Sequence, residues 1–339
     1  MRAAVLPRNG GCDVFEIQDR PEPSASPGRV RIRVKAAGVN FADLMARQGL
    51  YPDAPDLPAV LGYEVAGEVE EVGEGAGEHA VGDRVMAACR FGGYSELVSA
   101  RARDVLRLPD AWSFEEGAAF PVVYGTAYAS LVSFGNLRRG ERLLIQAAAG
   151  GVGIAATQMG KLLGAEIYGT ASLSKHEAIR EFGVKHPIDY RDKDFGDEVR
   201  RIAGEERPLD LIVDGIGAKS WKEGYRLLRP GGRLVMIGAA SFVTGEKRNL
   251  PKAAANLARV PRFNPIKLAS ESISIVGLNM LRLWDARGTL DEFIEPLAQW
   301  VDQGLLHPVV AETFPLERVG EAHRFMGERK NIGKVVLTV

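Results

Sequence analysis

Residues 142–156 read "RLLIQAAAGGVGIAA": a short apolar strand, a turn carrying Ala147-x-x-Gly150-x-x-Gly153, and the opening of a helix. Glycines at this spacing let the backbone close on a pyrophosphate, whose charge then rests on the helix N-terminus. The chemistry implied is dinucleotide binding, with Gly150, Gly151 and Val152 as the phosphate contacts and Ala147 where the fingerprint has its first glycine. Many such turns only pack a helix on a strand. This one gains weight from the strand before it, the helix after it and the strand–helix units that follow.

About twenty residues past such a turn, the next strand normally ends on an Asp or Glu that binds an NAD ribose. Here that strand runs into "GTASLSKHEA" (169–178), and Thr170, Ser172, Ser174 and Lys175 come up before any acid. A carboxylate would repel a 2′-phosphate, whereas a hydroxyl and an ammonium bind one. Tyr190, at the end of the following strand, adds a phenolic donor. The plain alternative makes Lys175 a solvated lysine in a first helical turn. The charge logic predicts NADPH as the cofactor, in preference to NADH.

Two kinds of rhythm position these residues. Up to about residue 115 the chain reads as short strands and turns. In "RVRIRVKAAG", Val30, Ile32 and Val34 alternate with Arg31, Arg33 and Lys35, the period of a strand with one wet face. That predicts an antiparallel, barrel-like module. Beyond it, strands "RLLIQA", "EIYGTA", "HPIDY", "LDLIVDG" and "RLVMIG" alternate with helical segments, which predicts βαβ units and a parallel sheet. "ISIVGL" is a candidate sixth strand. The tail reads as a helix over "LDEFIEPLAQWVDQG", then strand, helix and strand, too short for a domain and expected to pack on the N-terminal module.

The 339 residues are long for one core, and 43 basic against 44 acidic side chains give a net charge of −1. That balance offers nucleic acid no general attraction. Cys12 and Cys89 lie far apart in sequence, so no disulfide framework or thiolate cage is expected. The N-terminus lacks an apolar signal core, and a reducing, cytoplasmic compartment is the expectation.

The stretches "AAGVNFADLMARQGLYP", "LGYEVAGEVEEVG", "VGDRV", "AAAGGVG", "VDGIG", "LRPGGRLVMIG" and "KNIGKVVL" together resemble the medium-chain dehydrogenases/reductases of the zinc-free quinone oxidoreductase (zeta-crystallin-like) group. "TGEKRNL", "FNPIKL" and "KNIGKV" are most similar to the branch of vesicle amine transport protein homologues. The resemblance implies an α/β chain. Residues 1–118 and 265–339 would form a GroES-like antiparallel β-barrel catalytic domain. Residues 119–264 would form a Rossmann doubly wound parallel-sheet cofactor domain, in a homodimer.

Zinc-dependent relatives carry Cys and His where this chain has Asn40 and Tyr63, and the five histidines show no ligand spacing, so no metal is expected. Hydride delivery to a quinone or α,β-unsaturated carbonyl needs none, because the acceptor is already electrophilic and the protein has to orient it and steady the developing oxyanion. Asn40 and Tyr51 are the candidate donors, although Asn40 also suits a helix cap. Asp43, Met45, Tyr63 and Tyr124 complete the expected pocket, Asp43 as an orienting acid and Met45 as a greasy substitute for a tyrosine. By resemblance, Thr126 lies beneath the nicotinamide, Gly238, Ala239, Leu278 and Asn279 line its end, Gly215 is a further cofactor contact, Asn331 reaches the cofactor, and Arg329 meets the adenosine phosphate.

The run "TGEKRNLPKAAANLARVPRFNPIKL" (244–268) sets Lys247, Arg248, Lys252, Arg259, Arg262 and Lys267 among Leu257, Val260, Phe263 and Ile266. It reads as a solvated short helix and loop, or alternatively as a lid or a weak contact with an anionic membrane surface. The rival to an enzyme is an NADPH-binding protein that handles lipid or a protein partner with little turnover.

Overall fold

The structure, a computed structural model, describes residues 1–243, 245, 246 and 249–339. Thr244, Lys247 and Arg248 of the basic run lie outside the described residues. The chain divides into one unit of Met1–Gly125, Val243–Asn249 and Leu281–Val339 and a second of Thr126–Phe242 and Leu250–Met280.

The first unit begins with β1 (Arg2–Leu6), β2 (Glu16–Asp19), β3 (Arg29–Val39), β4 (Ala59–Val60), β5 (Glu64–Val72), β6 (Arg84–Ala88), β7 (Leu97–Arg101) and β8 (Val105–Arg107). The second holds β9 (Arg142–Ile145), β10 (Glu166–Ala171), β11 (His186–Asp189), β12 (Leu209–Asp214), β13 (Leu228–Met236) and β14 (Ser274–Gly277). The chain then returns to the first unit with β15 (Val310–Pro315) and β16 (Lys334–Thr338).

In the first unit, β3 is the central strand. Val30, Ile32 and Val34 point into the core while Arg33 is exposed, as the period of two predicts. The larger sheet runs β15-β16-β3-β5-β6-β8, with β7 also on β3, and β1 is flanked by β2 and β4 in a small second sheet. Pairing is antiparallel except between β15 and β16. Ile32, Leu61, Val65, Tyr94, Val335 and Leu337 join one hydrophobic core.

The second unit is a parallel sheet in the order β11-β10-β9-β12-β13-β14. Its strands are apolar in successive residues because helices cover both faces, and Leu144, Tyr168, Ile212 and Leu234 pack together on one of them. Successive strands step outward from β9 to β11, then restart on its other side with β12. The order therefore reverses between β9 and β12, and their carboxyl ends frame the crevice where such sheets take ligands.

Several details differ from the sequence reading. Residues 119–125 and Val243, assigned above to the cofactor domain, group with the first unit. The segment 265–280, assigned above to the catalytic domain, lies in the second unit because β14 pairs in parallel with β13. The tail "LDEFIEPLAQWVDQG" is three short helical pieces, Asp291–Ile294, Glu295–Leu297 and Ala298–Asp302. Pro296 supplies no N–H and its ring crowds the preceding turn, so one continuous α-helix cannot pass through it. No helix among the described residues is long and apolar enough to cross a membrane.

Candidate functional site

In the second unit the glycine turn joins β9 to the helix Gly151–Leu162. Gly150 is the N-cap and offers no side-chain cap, so the first-turn N–H groups of a twelve-residue helix are left for a ligand. Ala147 adopts φ +55°, the left-handed backbone that explains why a glycine is usual there. A Cβ on Gly153 would stand 2.4 Å from the Ala147 carbonyl oxygen, so the helix can approach the turn only with glycine at 153. The Thr170 hydroxyl is used within the protein: it donates to Gln146 Oε1 at 2.6 Å and accepts from the Ala147 N–H at 3.1 Å. Thr170 therefore braces the turn from below. Gln146 was not singled out from sequence, yet its buried Nε2 has no partner among the described residues.

At the far end of β10, Ala171 pairs with Asp189 of β11, so Ser172 and Tyr190 leave the sheet side by side. Ser172 is buried with its Oγ 3.4 Å from Ser174 Oγ, while Lys175 and Tyr190 are half-buried. Lys175 is the N-cap of the helix His176–Phe182. No carboxylate comes before Glu177 in this segment.

After β12, Asp214 orders the turn that carries Gly215. Its Oδ1 accepts from the N–H groups of Ile216 (2.6 Å) and Gly217 (3.1 Å), and Ser220 Oγ donates to Oδ2 at 2.5 Å. Burial pushes this carboxyl up from its ordinary value while those hydrogen bonds oppose the shift. Ala240 N donates to Gly215 O at 2.9 Å, tying the two turns together and leaving Gly238 exposed and Ala239 half-buried. Leu278 is buried, with its N–H on Met236 O, and Asn279 beside it is half-buried. Thr126 is buried, and its carbonyl accepts from Ser130 Oγ at 2.7 Å.

In the first unit Asn40 follows β3 and precedes the helix Phe41–Arg47. The sequence reading has its amide facing a ligand, but most of that amide is already engaged. Lys334 Nζ donates to Oδ1 at 2.5 Å, and Nδ2 donates one N–H to Glu64 Oε1 at 2.9 Å. Lys334 Nζ also lies 2.5 Å from Glu64 Oε1, and the pair is almost wholly buried. Glu64 and Lys334 escaped the sequence reading because their partners are 24 and 294 residues from Asn40.

Asp43, placed above with the pocket residues, is fully buried and serves the protein's own donors. It accepts from the backbone N–H groups of Asn40 (2.8 Å) and Gly62 (3.2 Å) and from the Tyr94 hydroxyl (2.9 Å). Burial pushes its carboxyl up to about 6, against the lowering effect of those hydrogen bonds and of Lys334.

Tyr51 and Tyr63 meet edge to face with centroids 6.4 Å apart, and Phe91 packs on Tyr63 at 4.9 Å. The Tyr63 hydroxyl is buried beside Tyr51. Burial, then the charge of Asp43 and the neighbouring Tyr51, push its phenol up, so it stays a neutral O–H donor. Met45 is half-buried. Tyr124 is spent on architecture, donating to the His307 carbonyl at 2.7 Å. Asn331 Nδ2 donates to Gly333 O at 2.8 Å, and the exposed Arg329 sits at φ +58°.

Comparison with known proteins agrees with the fold. Residues 26–110 match the alcohol dehydrogenase GroES-like domain, and residues 182–337 match a model described as zinc-binding dehydrogenase. The donor set here does not fit that metal: both cysteines are buried, the Asn40 amide is committed to an ion pair, and Tyr63 offers a neutral phenol. Among the described residues no three His, Cys, Asp or Glu side chains are placed to hold an ion. The chain is 41% identical over 339 residues to the synaptic vesicle membrane protein VAT-1 homolog of Danio rerio, covering 99% of this chain and 70% of that one. The crystal structure of the human VAT-1 homolog-like protein is 35% identical, with a TM-score of 0.86 over 100% of this chain and 98% of that one. Escherichia coli quinone oxidoreductase, solved with NADPH, is 28% identical with a TM-score of 0.86 over the whole of both chains. The chain thus belongs to the VAT-1 homologue family, within the quinone oxidoreductase-like medium-chain dehydrogenases/reductases.

Proposed function

We propose that this chain is an NADPH-dependent reductase that passes a hydride to a quinone or an α,β-unsaturated carbonyl. The observation that carries the reading is the turn from Ala147 to Gly153 at the reversal of strand order, followed by a second strand after which Ser172 and Lys175 come before any acid. The uncapped helix suits a pyrophosphate, and a hydroxyl and an ammonium suit a 2′-phosphate. The cofactor, when bound, supplies the hydride.

The chain's own residues supply orientation and charge stabilisation. The remaining Asn40 N–H and the phenols of Tyr51 and Tyr63 are the donors for an acceptor oxygen that gains negative charge. Phe91 packs on Tyr63 and makes its surroundings apolar, which favours a bulky or alkyl-substituted acceptor over a small polar one. The same reading makes the protein a cytoplasmic homodimer. Strand β14 supports this, since it pairs only with β13 among the described strands and leaves its other edge open for a second copy.

The test is NADPH oxidation, followed at its near-UV absorbance, against a panel of quinones and 2-alkenals. Turnover that falls in Tyr51→Phe with NADPH binding retained supports the reading, and no turnover with any acceptor rejects it.

A second reading, that the protein also meets an anionic lipid surface, has one observation in its favour. Leu257 is 66% exposed and Ile266 80% exposed, among the exposed cations Lys252, Arg259, Arg262 and Lys267.

A further inference from the structure

Asn40, Glu64 and Lys334 come from three neighbouring strands of one sheet. Asn40 follows the last residue of β3, Glu64 opens β5 on one side of it, and Lys334 opens β16 on the other. The backbone makes room for the charges. A Cβ on Gly38 would lie 2.8 Å from both Cγ and Oε1 of Glu64, so glycine there is what lets the carboxylate in. The second carboxylate oxygen, Oε2, accepts the Val122 N–H at 2.8 Å. The ion pair is thus buried and its remaining lone pairs are used, the condition under which a buried charge pair holds one geometry.

The two ends of the Asn40 amide can be told apart by charge alone. An ammonium donates and cannot accept, while an ionised carboxylate accepts and cannot donate. Lys334 therefore takes Oδ1 and Glu64 takes Nδ2, and rotation of the amide by half a turn would set oxygen against carboxylate and N–H against ammonium. Of the two N–H bonds, one is spent on Glu64. Asn40 is half-buried, so the other faces a direction fixed by its buried neighbours.

We infer that the Glu64–Lys334 pair is a positioning device for the reaction proposed above: it locks the Asn40 amide so that its second N–H stands ready as the hydrogen-bond donor to the acceptor's oxygen. Glu64 and Lys334 act through Asn40 and touch neither substrate nor cofactor. The inference rests on the reductase reading for the identity of the oxygen, though the locked amide can be read without it.

The test uses the full chain. Removing one charge alone strands the other in the interior and threatens folding, so Lys334→Met is accompanied by the paired variant Glu64→Gln/Lys334→Met, which carries neither charge. The paired variant loses the charge discrimination and lets the amide turn over. With the best quinone acceptor, kcat should fall about 100- to 1,000-fold, as for loss of one oxyanion donor, with the Kd for NADPH unchanged. Adding Asn40→Ala to the paired variant should cost less than a further twofold, because the donor it removes is no longer aimed. Unchanged kcat in the folded paired variant, or a full additional loss on adding Asn40→Ala, would overturn the inference.

If the wild-type chain turns over no acceptor, the reductase reading fails and the lock is still measured. With selective 15N-asparagine labelling, the Asn40 side-chain protons, identified by their loss in Asn40→Ala, should show one slowly exchanging partner in the wild type. That protection should disappear in the paired variant. Identical exchange in both proteins would sink the positioning role.

Discussion

The carbonyl oxygen of Ala147 occupies the space where a side chain at Gly153 would begin: a Cβ there would be 2.4 Å from it. One residue of this pair sits in left-handed backbone with a methyl group, and the other has no side chain so that the helix can close on the turn. Gly153→Ala is therefore expected to destabilise the chain by ~1–3 kcal/mol through forced backbone shifts, and to abolish dinucleotide binding. The opposite change, Ala147→Gly, should stabilise it by about 0.5–1 kcal/mol because the methyl no longer opposes φ +55°. Denaturant midpoints with calorimetric NADPH titrations check both signs. A neutral Gly153→Ala would show that the turn yields.

Reversing the charge at residue 175 should exchange the cofactor preference. Lys175→Glu is expected to weaken NADPH by roughly 10- to 100-fold, the worth of a charge-assisted hydrogen bond, and to leave NADH within about threefold. Parallel fluorescence titrations read the two constants. Equal losses for both dinucleotides would mean that Lys175 does not face the 2′-phosphate.

The buried Asp43 gives a pH dependence whose sign can be worked out. Its carboxyl rises from 3.8 to about 6 on folding, so the folded chain binds this proton more tightly than the unfolded chain. The contribution is complete below pH 3.8 and is lost as pH rises through about 6, amounting to about 3 kcal/mol. Wild-type stability, measured relative to Asp43→Asn, should therefore fall between pH 4 and pH 7. The Asp43→Asn variant should itself be less stable at every pH, since one amide oxygen cannot satisfy the three donors that Asp43 serves. Parallel stability curves for the two proteins would refute the shift.

The exposed pair Leu257 and Ile266 makes the lipid contact testable. Co-sedimentation with vesicles rich in anionic phospholipid should be measurable at low salt and fall severalfold in Leu257→Ser/Ile266→Ser, with vesicles of neutral lipid as the control. No sedimentation with anionic vesicles would remove that reading.

Much of the frame was legible because it is written in local patterns. The strand Glu166–Ala171 stands where "EIYGTA" places it, and the alternation of Val30, Ile32 and Val34 gave the inner face of β3. The tail's return to the first unit was legible both in its length, too short for a domain of its own, and in the resemblance. The reading stumbled where a single residue or a distant partner decides. Pro296 cut a helix that apolar spacing had drawn as continuous. Asn40 looked like a simple donor because the carboxylate and ammonium that claim its amide come from β5 and β16, brought alongside only when the sheet forms. Thr170 looked like a cofactor contact, yet its hydroxyl is turned inward to Gln146. Asp214 was not singled out from "VDGIG", although a lone acid ahead of small residues is the signal of a side chain capping its own turn.

The sheet neighbour of β3 on one side is β16, a strand made almost three hundred residues later, while the parallel sheet of β9 to β14 is complete before β15 begins. Synthesis from the N-terminus therefore delivers the dinucleotide module as a finished body at a time when the edge of β3 has no mate. During that interval β3 presents the unpaired backbone of Ala36–Val39 to any other chain nearby, since Arg29–Arg33 already pairs with β7, and such an open stretch is where nascent sheets aggregate or swap strands. Lys35, next to that open stretch, gives the waiting edge a charge, so it serves the unfinished polypeptide as well as the finished one.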